Sequence, residues 1–345
     1  MKKKLTLLLV LALVIFAFAA CGGDADPPSG DVTPNGSAGT AVKTGMAVVT
    51  DIGKSIDAGE KDGIAQVDST VVAITVDENG VITNCVIDHA QTAINFSKDG
   101  KIVTPLDTVY PGKQELGDSY GMGSVSSIGK EWNQQATALS NYVIGKTVAD
   151  VKGIAVTESG SPADSDLASS VTVSIGGYVN AIEKAVSNAK DFGASADDLL
   201  GLGVVTTIGN SEDVGEEDGI GQAYTNYAAV TFDADGVITS CIIDASQTNV
   251  NFSKDGKIVS DLGAAFKTKN ELGKDYGMGK TSSIGKEWNE QAAAFAEYVV
   301  GKTASEVKGI ALKDGKASDE DLLASVTVSL GDFMDNIERA YKAAK

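Results

Sequence analysis

Two segments of this 345-residue chain place reactive side chains at matching positions: Asp166-Leu-Ala-Ser-Ser-Val-Thr172 and Asp321-Leu-Leu-Ala-Ser-Val-Thr327. Each ends in a threonine just ahead of an amphipathic helical pattern. A hydroxyl there can carry a covalent group, and the free N–H groups and dipole of a helix N-terminus favour a phosphate. Threonine is a poor nucleophile unaided, and no basic residue recurs beside both copies. Attachment of a phosphorylated group at Thr172 and Thr327 therefore fits the work of a separate transferase better than self-modification.

Other familiar chemistries fall away. Ile144-Gly-Lys-Thr147 and Val300-Gly-Lys-Thr303 end like a phosphate-binding P-loop, but the glycine required five residues earlier is Ser140 or Ala296. His89 is the only histidine, and its counterpart is Ala245, so no catalytic triad is shared by the two copies. Asp77-Glu-Asn-Gly80 and Asp233-Ala-Asp-Gly236 read as turns, because no acid closes a calcium loop at the required spacing. Cys85 and Cys241 occupy equivalent places and have no metal-ligand spacing, which suits two small buried strand residues.

The elements that must position the threonines are duplicated. Val48-Val-Thr50 aligns with Val204-Val-Thr206 at an offset of 156, and Asn95–Val103 recurs unchanged at Asn251–Val259. Tyr120-Gly-Met-Gly123 recurs at Tyr276–Gly279, and Ser126–Asn133 at Ser282–Asn289. The offset becomes 155 before Asp166 and Asp321, so one deletion lies between. A period this long means two whole domains, expected at 45–192 and 193–345. Val71–Asp77 and Val81–Asp88 read as strands around the Glu78-Asn-Gly80 turn, and Lys98-Asp-Gly-Lys101 as another tight turn. A helix is expected near 128–144, with Trp132, Leu139 and Val143 on one face. Thr147 and Thr303 open capped helices, and final helices are expected over Ser174–Ala189 and Ser329–Ala343. Strands first and helices later imply α+β domains, each an antiparallel sheet with helices packed against it.

The N-terminal end reads as an export signal. Lys2, Lys3 and Lys4 precede an apolar run from Leu5 to Phe18, too short for a comfortable membrane span. It leads into Phe18-Ala-Ala-Cys-Gly22, which resembles a bacterial lipobox, so residues 1–20 are expected to be cleaved and Cys21 lipidated. Acyl chains contribute about 0.8 kcal/mol per buried CH₂. Residues 21–44 then form a Pro- and Gly-rich tether, and about 23 residues of flexible coil span roughly 25 to 30 Å. The formal charge is −19. Loss of the leader removes three of the 28 basic residues and no acid, leaving −22. Such a surface repels nucleic acid and anionic headgroups, so contact with the membrane is expected through the lipid alone, at the outer face.

The threonine segments are similar to the motif of a known family, the FMN-binding domains of sodium-pumping and electron-bifurcating redox complexes. That motif runs close to Asp-x-x-Ser/Thr-Gly-Ala-Thr before a last helix. Asp166, Ser169 and Thr172 match it in the first copy, and Asp321 and Thr327 in the second, where Ala324 departs from it. Ser170-Val171 and Ser325-Val326 replace Gly-Ala. Taken with the repeated Glu-Leu-Gly, Tyr-Gly-Met-Gly and Ser-Ser-Ile-Gly-Lys-Glu-Trp-Asn blocks, nearly all of residues 45–345 resembles the doubly flavinylated lipoproteins of Gram-positive extracellular electron transfer.

The resemblance implies two covalent FMN groups, one at Thr172 and one at Thr327, attached by an FAD-dependent FMN transferase. It implies an electron carrier rather than an enzyme, fed by membrane quinone-linked redox proteins and emptied by soluble flavin or ferric iron. Tyr120, Met122, Trp132 and their counterparts Tyr276, Met278 and Trp288 are candidates for the wall around the flavin ring. For Trp132 and Trp288, core packing on a helix face is the stronger reading. The glycines of Tyr-Gly-Met-Gly suggest a loop whose backbone approaches something closely. Two other readings stand beside this one, a solute-binding lipoprotein of a transporter and a structural or adhesive surface protein without cofactor.

Overall fold

The β-branched runs of each repeat become long antiparallel strands. The structure, a computed structural model, describes residues 39–345. The leader, Cys21 and most of the expected tether lie outside those residues. Strands β1 (Lys43–Asp51), β2 (Gly63–Val76) and β3 (Ile82–Phe96) form one sheet in that order. A short β4 (Val109–Pro111) joins the second sheet by pairing with β5 (Leu199–Thr207), which continues into β6 (Gly219–Phe232) and β7 (Ile238–Phe252). The chain is α+β, with antiparallel sheets and helices packed against them. The end of the stretch expected as tether is part of the fold: Val42 is buried and β1 opens at Lys43.

The turn residues act as expected. Asp77 Oδ1 accepts the amides of Asn79 at 2.9 Å and Val81 at 2.8 Å, closing the β2–β3 hairpin. In the first repeat the helices are α1 (Lys113–Leu116), α2 (Trp132–Val143), α3 (Val148–Lys152), α4 (Ser165–Ala168) and α5 (Gly176–Asn188). The second repeat has α6 (Lys269–Leu272), α7 (Trp288–Val299), α8 (Ala304–Lys308), α9 (Glu320–Leu323) and α10 (Gly331–Ala343). Capping boxes start α2, α3, α6, α7 and α8, each adding on the order of 1 kcal/mol.

Both faces of β2 are buried over Val71–Val76, which explains the apolar run Val71-Val-Ala-Ile74 there. Val72, Ile74 and Val76 meet Trp132, Leu139, Ile182 and Ala185 of α2 and α5. Val71 and Ala73 point the other way, into an interior shared with Leu200, Leu202, Val204 and Tyr227 of the second repeat. The rings of Phe96 and Phe252 stack in the same interior, 4.1 Å apart. Two sheets therefore face one another, with each repeat's helices outside its own sheet. At one seam, Thr44 Oγ1 on β1 and Ser240 Oγ on β7 are 2.8 Å apart.

Helix α5 lies close on β1 because Gly45 has no side chain. A Cβ there would meet the carbonyl oxygen of Ala185 at 2.1 Å, and at Gly201 that of Ala340 on α10 at 2.0 Å. Substituting Gly45→Ala must push the helix off the sheet. We expect a loss of about 1–3 kcal/mol of stability, read from urea unfolding midpoints; an unchanged midpoint would contradict this packing.

Candidate functional site

Each threonine is held by a buried glutamine. Gln135 Oε1 accepts the Thr172 amide at 2.9 Å and its hydroxyl at 3.2 Å. The amide nitrogen of Gln135 donates to Lys130 O at 3.1 Å and Ser126 Oγ at 3.2 Å. Gln291 repeats the arrangement with Thr327 N at 2.8 Å and Oγ1 at 3.1 Å, and with Lys286 O and Ser282 Oγ. Both glutamines are fully buried, and both threonines are half-buried.

The rest of the threonine motif divides by burial. Leu167 and Val171 anchor it in the core, as Leu322 and Val326 do in the second repeat. Asp166, Ser169 and Asp321 are exposed, and the caps of α4 and α9 are Asp164 and Asp319 instead. Ser170 and Ser325 are half-buried, and Lys130 Nζ donates to Ser170 Oγ at 3.0 Å. Thr172 lies four residues ahead of Gly176, the first residue of α5. Its hydroxyl is tied to α2, so the first turn of the last helix does not itself hold the threonine side chain.

One helical turn before Gln135 is Trp132, on the same face of α2. Trp132 and Trp288 are core residues, 3% and 4% exposed. Trp132 Nε1 donates to the Tyr178 hydroxyl at 3.1 Å. Tyr120, Met122, Tyr276 and Met278 are half-buried against the same cores and keep an open side. The close approach expected of Tyr-Gly-Met-Gly is real but internal. The Glu131 carboxylate accepts the amides of Met122 at 2.8 Å and Gly123 at 2.7 Å. A Cβ on Gly123 would lie 2.6 Å from Glu131 Oε1.

Two lysines complete the clusters, and nothing in the local pattern singles them out. Lys113 is 7% exposed and Lys269 is 3% exposed. Lys113 Nζ donates to the Tyr120 hydroxyl at 2.8 Å and lies 4.3 Å from the Tyr120 ring and 5.6 Å from the Trp132 ring. Lys269 Nζ donates to the Tyr224 hydroxyl at 2.7 Å and faces the rings of Tyr224, Tyr276 and Trp288. Burial pushes both ammonium groups down to about 8. The signal that could have found them is their alignment at the repeat offset, Gly112-Lys-Gln-Glu-Leu-Gly117 against Thr268-Lys-Asn-Glu-Leu-Gly273.

Buried carboxylates hold the short helices that carry these lysines. Asp88 Oδ1 accepts the amides of Gln114 at 2.9 Å and His89 at 2.7 Å. Asp244 Oδ1 does the same for Asn270 at 3.0 Å and Ala245 at 2.8 Å. Burial raises both carboxyls to about 7. The surroundings otherwise differ between copies. Asp68, paired with Lys54 at 2.7 Å, and His89 lie near Lys113, where the second repeat has Tyr224 and Ala245. Cys85 and Cys241 are free and buried. Among the described residues no cluster of three metal-ligating side chains occurs, and no helix is long and apolar enough to cross a membrane.

Two larger clefts lie at the seams between the repeats. One of about 700 Å³ is lined by Asp88, Asn133 and Ser140 with Arg339 and Lys342. The other, about 960 Å³, is lined by Asp244, Asn289 and Ala296 with Ser187 and Lys190. Neither is lined by Thr172 or Thr327.

Gln135→Leu keeps the bulk and removes the acceptor for two Thr172 donors. The expected cost is about 1–3 kcal/mol, with faster amide hydrogen exchange at Thr172 as the local readout; unchanged protection there would refute the role. For Asp88 and Asp244, the unfolded chain releases a proton near pH 4 that the folded chain keeps until near pH 7. Their contribution to stability is full below about pH 4 and is lost as pH rises through about 7. The Asp88→Asn, Asp244→Asn double variant should therefore lose less stability than the parent between pH 5 and pH 8, as measured by urea unfolding.

Comparisons with protein-family models, with curated proteins and with solved structures returned no match. The site stands on its own geometry.

Proposed function

We propose that this protein is a lipid-anchored electron carrier on the outer face of the membrane, with one covalent FMN on each of two tandem homologous domains. Thr172 and Thr327 are the attachment points, and an FAD-dependent transferase forms the phosphoester bonds. Electrons enter from a membrane quinol-oxidising system and leave to soluble flavin or ferric iron. The carrying observation is that one arrangement is built twice: a half-buried threonine hydroxyl, fixed by a buried glutamine one helical turn from a buried tryptophan, whose ring faces a buried lysine.

These residues suit the group. The hydroxyl donates to the glutamine, which leaves its lone pairs available toward a phosphoryl donor. Lys130, 3.0 Å from Ser170 Oγ, brings positive charge beside the phosphate position of the first repeat. Tyr120, Met122, Tyr276 and Met278 offer partly open apolar surface for a ring. The flavin supplies the redox chemistry, and the chain supplies anchoring, orientation and charge.

The clefts at the seams favour a second reading, a binding protein for a small solute, since their volumes suit such a ligand. Intact mass separates the two. Produced with a working transferase, the parent should carry two FMN masses, and Thr172→Ala and Thr327→Ala should each remove one. A parent that carries no covalent flavin under those conditions rejects the carrier reading and leaves the solute reading.

A further inference from the structure

Lys113 and Lys269 are the two buried lysines among the described residues. An ammonium has three N–H donors, and each of these uses one, on a tyrosine hydroxyl. Among the described residues neither takes part in an ion pair with a carboxylate. Aromatic faces offset part of the cost of burying such a charge, but among the described residues the remaining donors meet no acceptor. A buried, unpaired cation is costly to hold, and the chain holds it twice, at corresponding positions. Near neutral pH both groups stay largely protonated, because burial lowers them only to about 8.

The placement indicates what completes each ammonium. Lys113 lies against Trp132, which shares its helix face with Gln135, the residue that fixes Thr172. Lys269 lies against Trp288 in the same relation to Gln291 and Thr327. A ribityl chain and a phosphate separate a flavin ring from its ester bond, so the partner of the ring belongs beyond the threonine. On two-electron reduction with uptake of one proton, a flavin ring gains one negative charge, concentrated on its pyrimidine edge. A quinol supplies the electrons in the cell, and dithionite supplies them in a cuvette.

We propose that Lys113 and Lys269 each donate hydrogen bonds to the pyrimidine edge of the flavin carried by their own repeat and hold the charge added on reduction. This rests on the two-flavin reading. Its consequence is that each lysine makes its flavin easier to reduce than the same flavin beside a neutral side chain. Lys54, Asp68, Asp88 and His89 add to the field at Lys113, and Asp244 to that at Lys269. Among the described residues the buried lysine is a charge that both copies share, against the same kind of aromatic rings, without a carboxylate ion pair.

The test uses the full chain, produced with the transferase and reduced to one flavin by Thr327→Ala or Thr172→Ala. Lys113→Met and Lys113→Arg are compared in the first background, and Lys269→Met and Lys269→Arg in the second. Intact mass reports flavin occupancy, and dithionite titration against a reference dye reports the reduction equilibrium. Each methionine variant should keep its flavin and lose at least about tenfold in that equilibrium constant, about 30 mV for a two-electron couple. The arginine variants should stay within about threefold of the parent. A flavin-loaded methionine variant with an unchanged potential overturns the proposal and leaves the two-flavin reading intact. So does an arginine variant displaced as far as the methionine one, since the effect would then be packing rather than charge. If a methionine variant does not fold, Lys→Gln, which keeps a donor without the charge, takes its place under the same criterion. A parent without flavin rejects the underlying reading instead.

Discussion

Each site turns on one buried amide. A glutamine side chain offers an acceptor and two donors in one plane, and Gln135, itself in the first turn of α2, uses them on two separate stretches of chain. It ties the loop before α2, the first turn of α2 and the segment before α5 into one rigid junction. An apolar residue would leave the half-buried Thr172 amide and hydroxyl without their acceptor. A glutamate would lose the donors that hold Ser126 and Lys130. The junction decides where the threonine hydroxyl stands relative to Trp132, and through Trp132 where it stands relative to Lys113. Because Gln291 makes the same junction, the geometry is a property of the repeat and not of one loop.

That repetition is closer in the scaffold than in the charges. The three long strands, the capping boxes of the α2/α7 and α3/α8 pairs, the glycine contacts of Gly45 and Gly201 and the glutamine junction recur. Asp68 and His89 do not: Tyr224 stands at the position of Asp68 and receives Lys269, whereas Tyr120 receives Lys113. A carboxylate and an imidazole near one ammonium, where the other has a second tyrosine and an alanine, give the two sites different local fields. Change at a few outward-facing strand positions is enough to give the two sites unlike environments.

The strands and hairpins were legible because period-two patterning and the Asp-x-x-Gly turns act locally. The helices were legible to within a few residues at their ends, as the spans from Trp132 and Gly176 show. Local rules could not show that the two sheets face each other. The run Val71-Val-Ala-Ile-Thr-Val76 announces burial on both sides but does not name what covers the second side. The threonines were legible as a place, yet their setting was not. Three residues separate Thr172 from the helix expected to hold it, and the contact that matters comes from α2. Lys113 was invisible because a lysine in a short polar turn normally faces solvent; its burial depends on Asp88 gripping that turn from β3. The glycines of Tyr-Gly-Met-Gly announce a close approach without naming its partner, which is Glu131, whose carboxylate takes the loop's amides.

The face-to-face sheets constrain any traffic between the two sites. Residues that line the shared interior, such as Val71, Ala73 and Ala90, alternate with those that face outward, such as His89 and Gln91. The tyrosine hydroxyl bonded to Gln91 and its counterpart bonded to Gln247 therefore lie outside opposite sheets. A straight path from one cluster to the other crosses both sheets, which stack about 10 Å apart, and an interior filled by Tyr227, Phe96 and Phe252. Under the two-flavin reading, neither ring could reach the other by a side-chain movement, and each would face solvent on its own side. The scaffold then suits two partners met on two faces better than a single docking site. The lysine at each site would matter because it sets that flavin's potential locally, whatever its twin is doing.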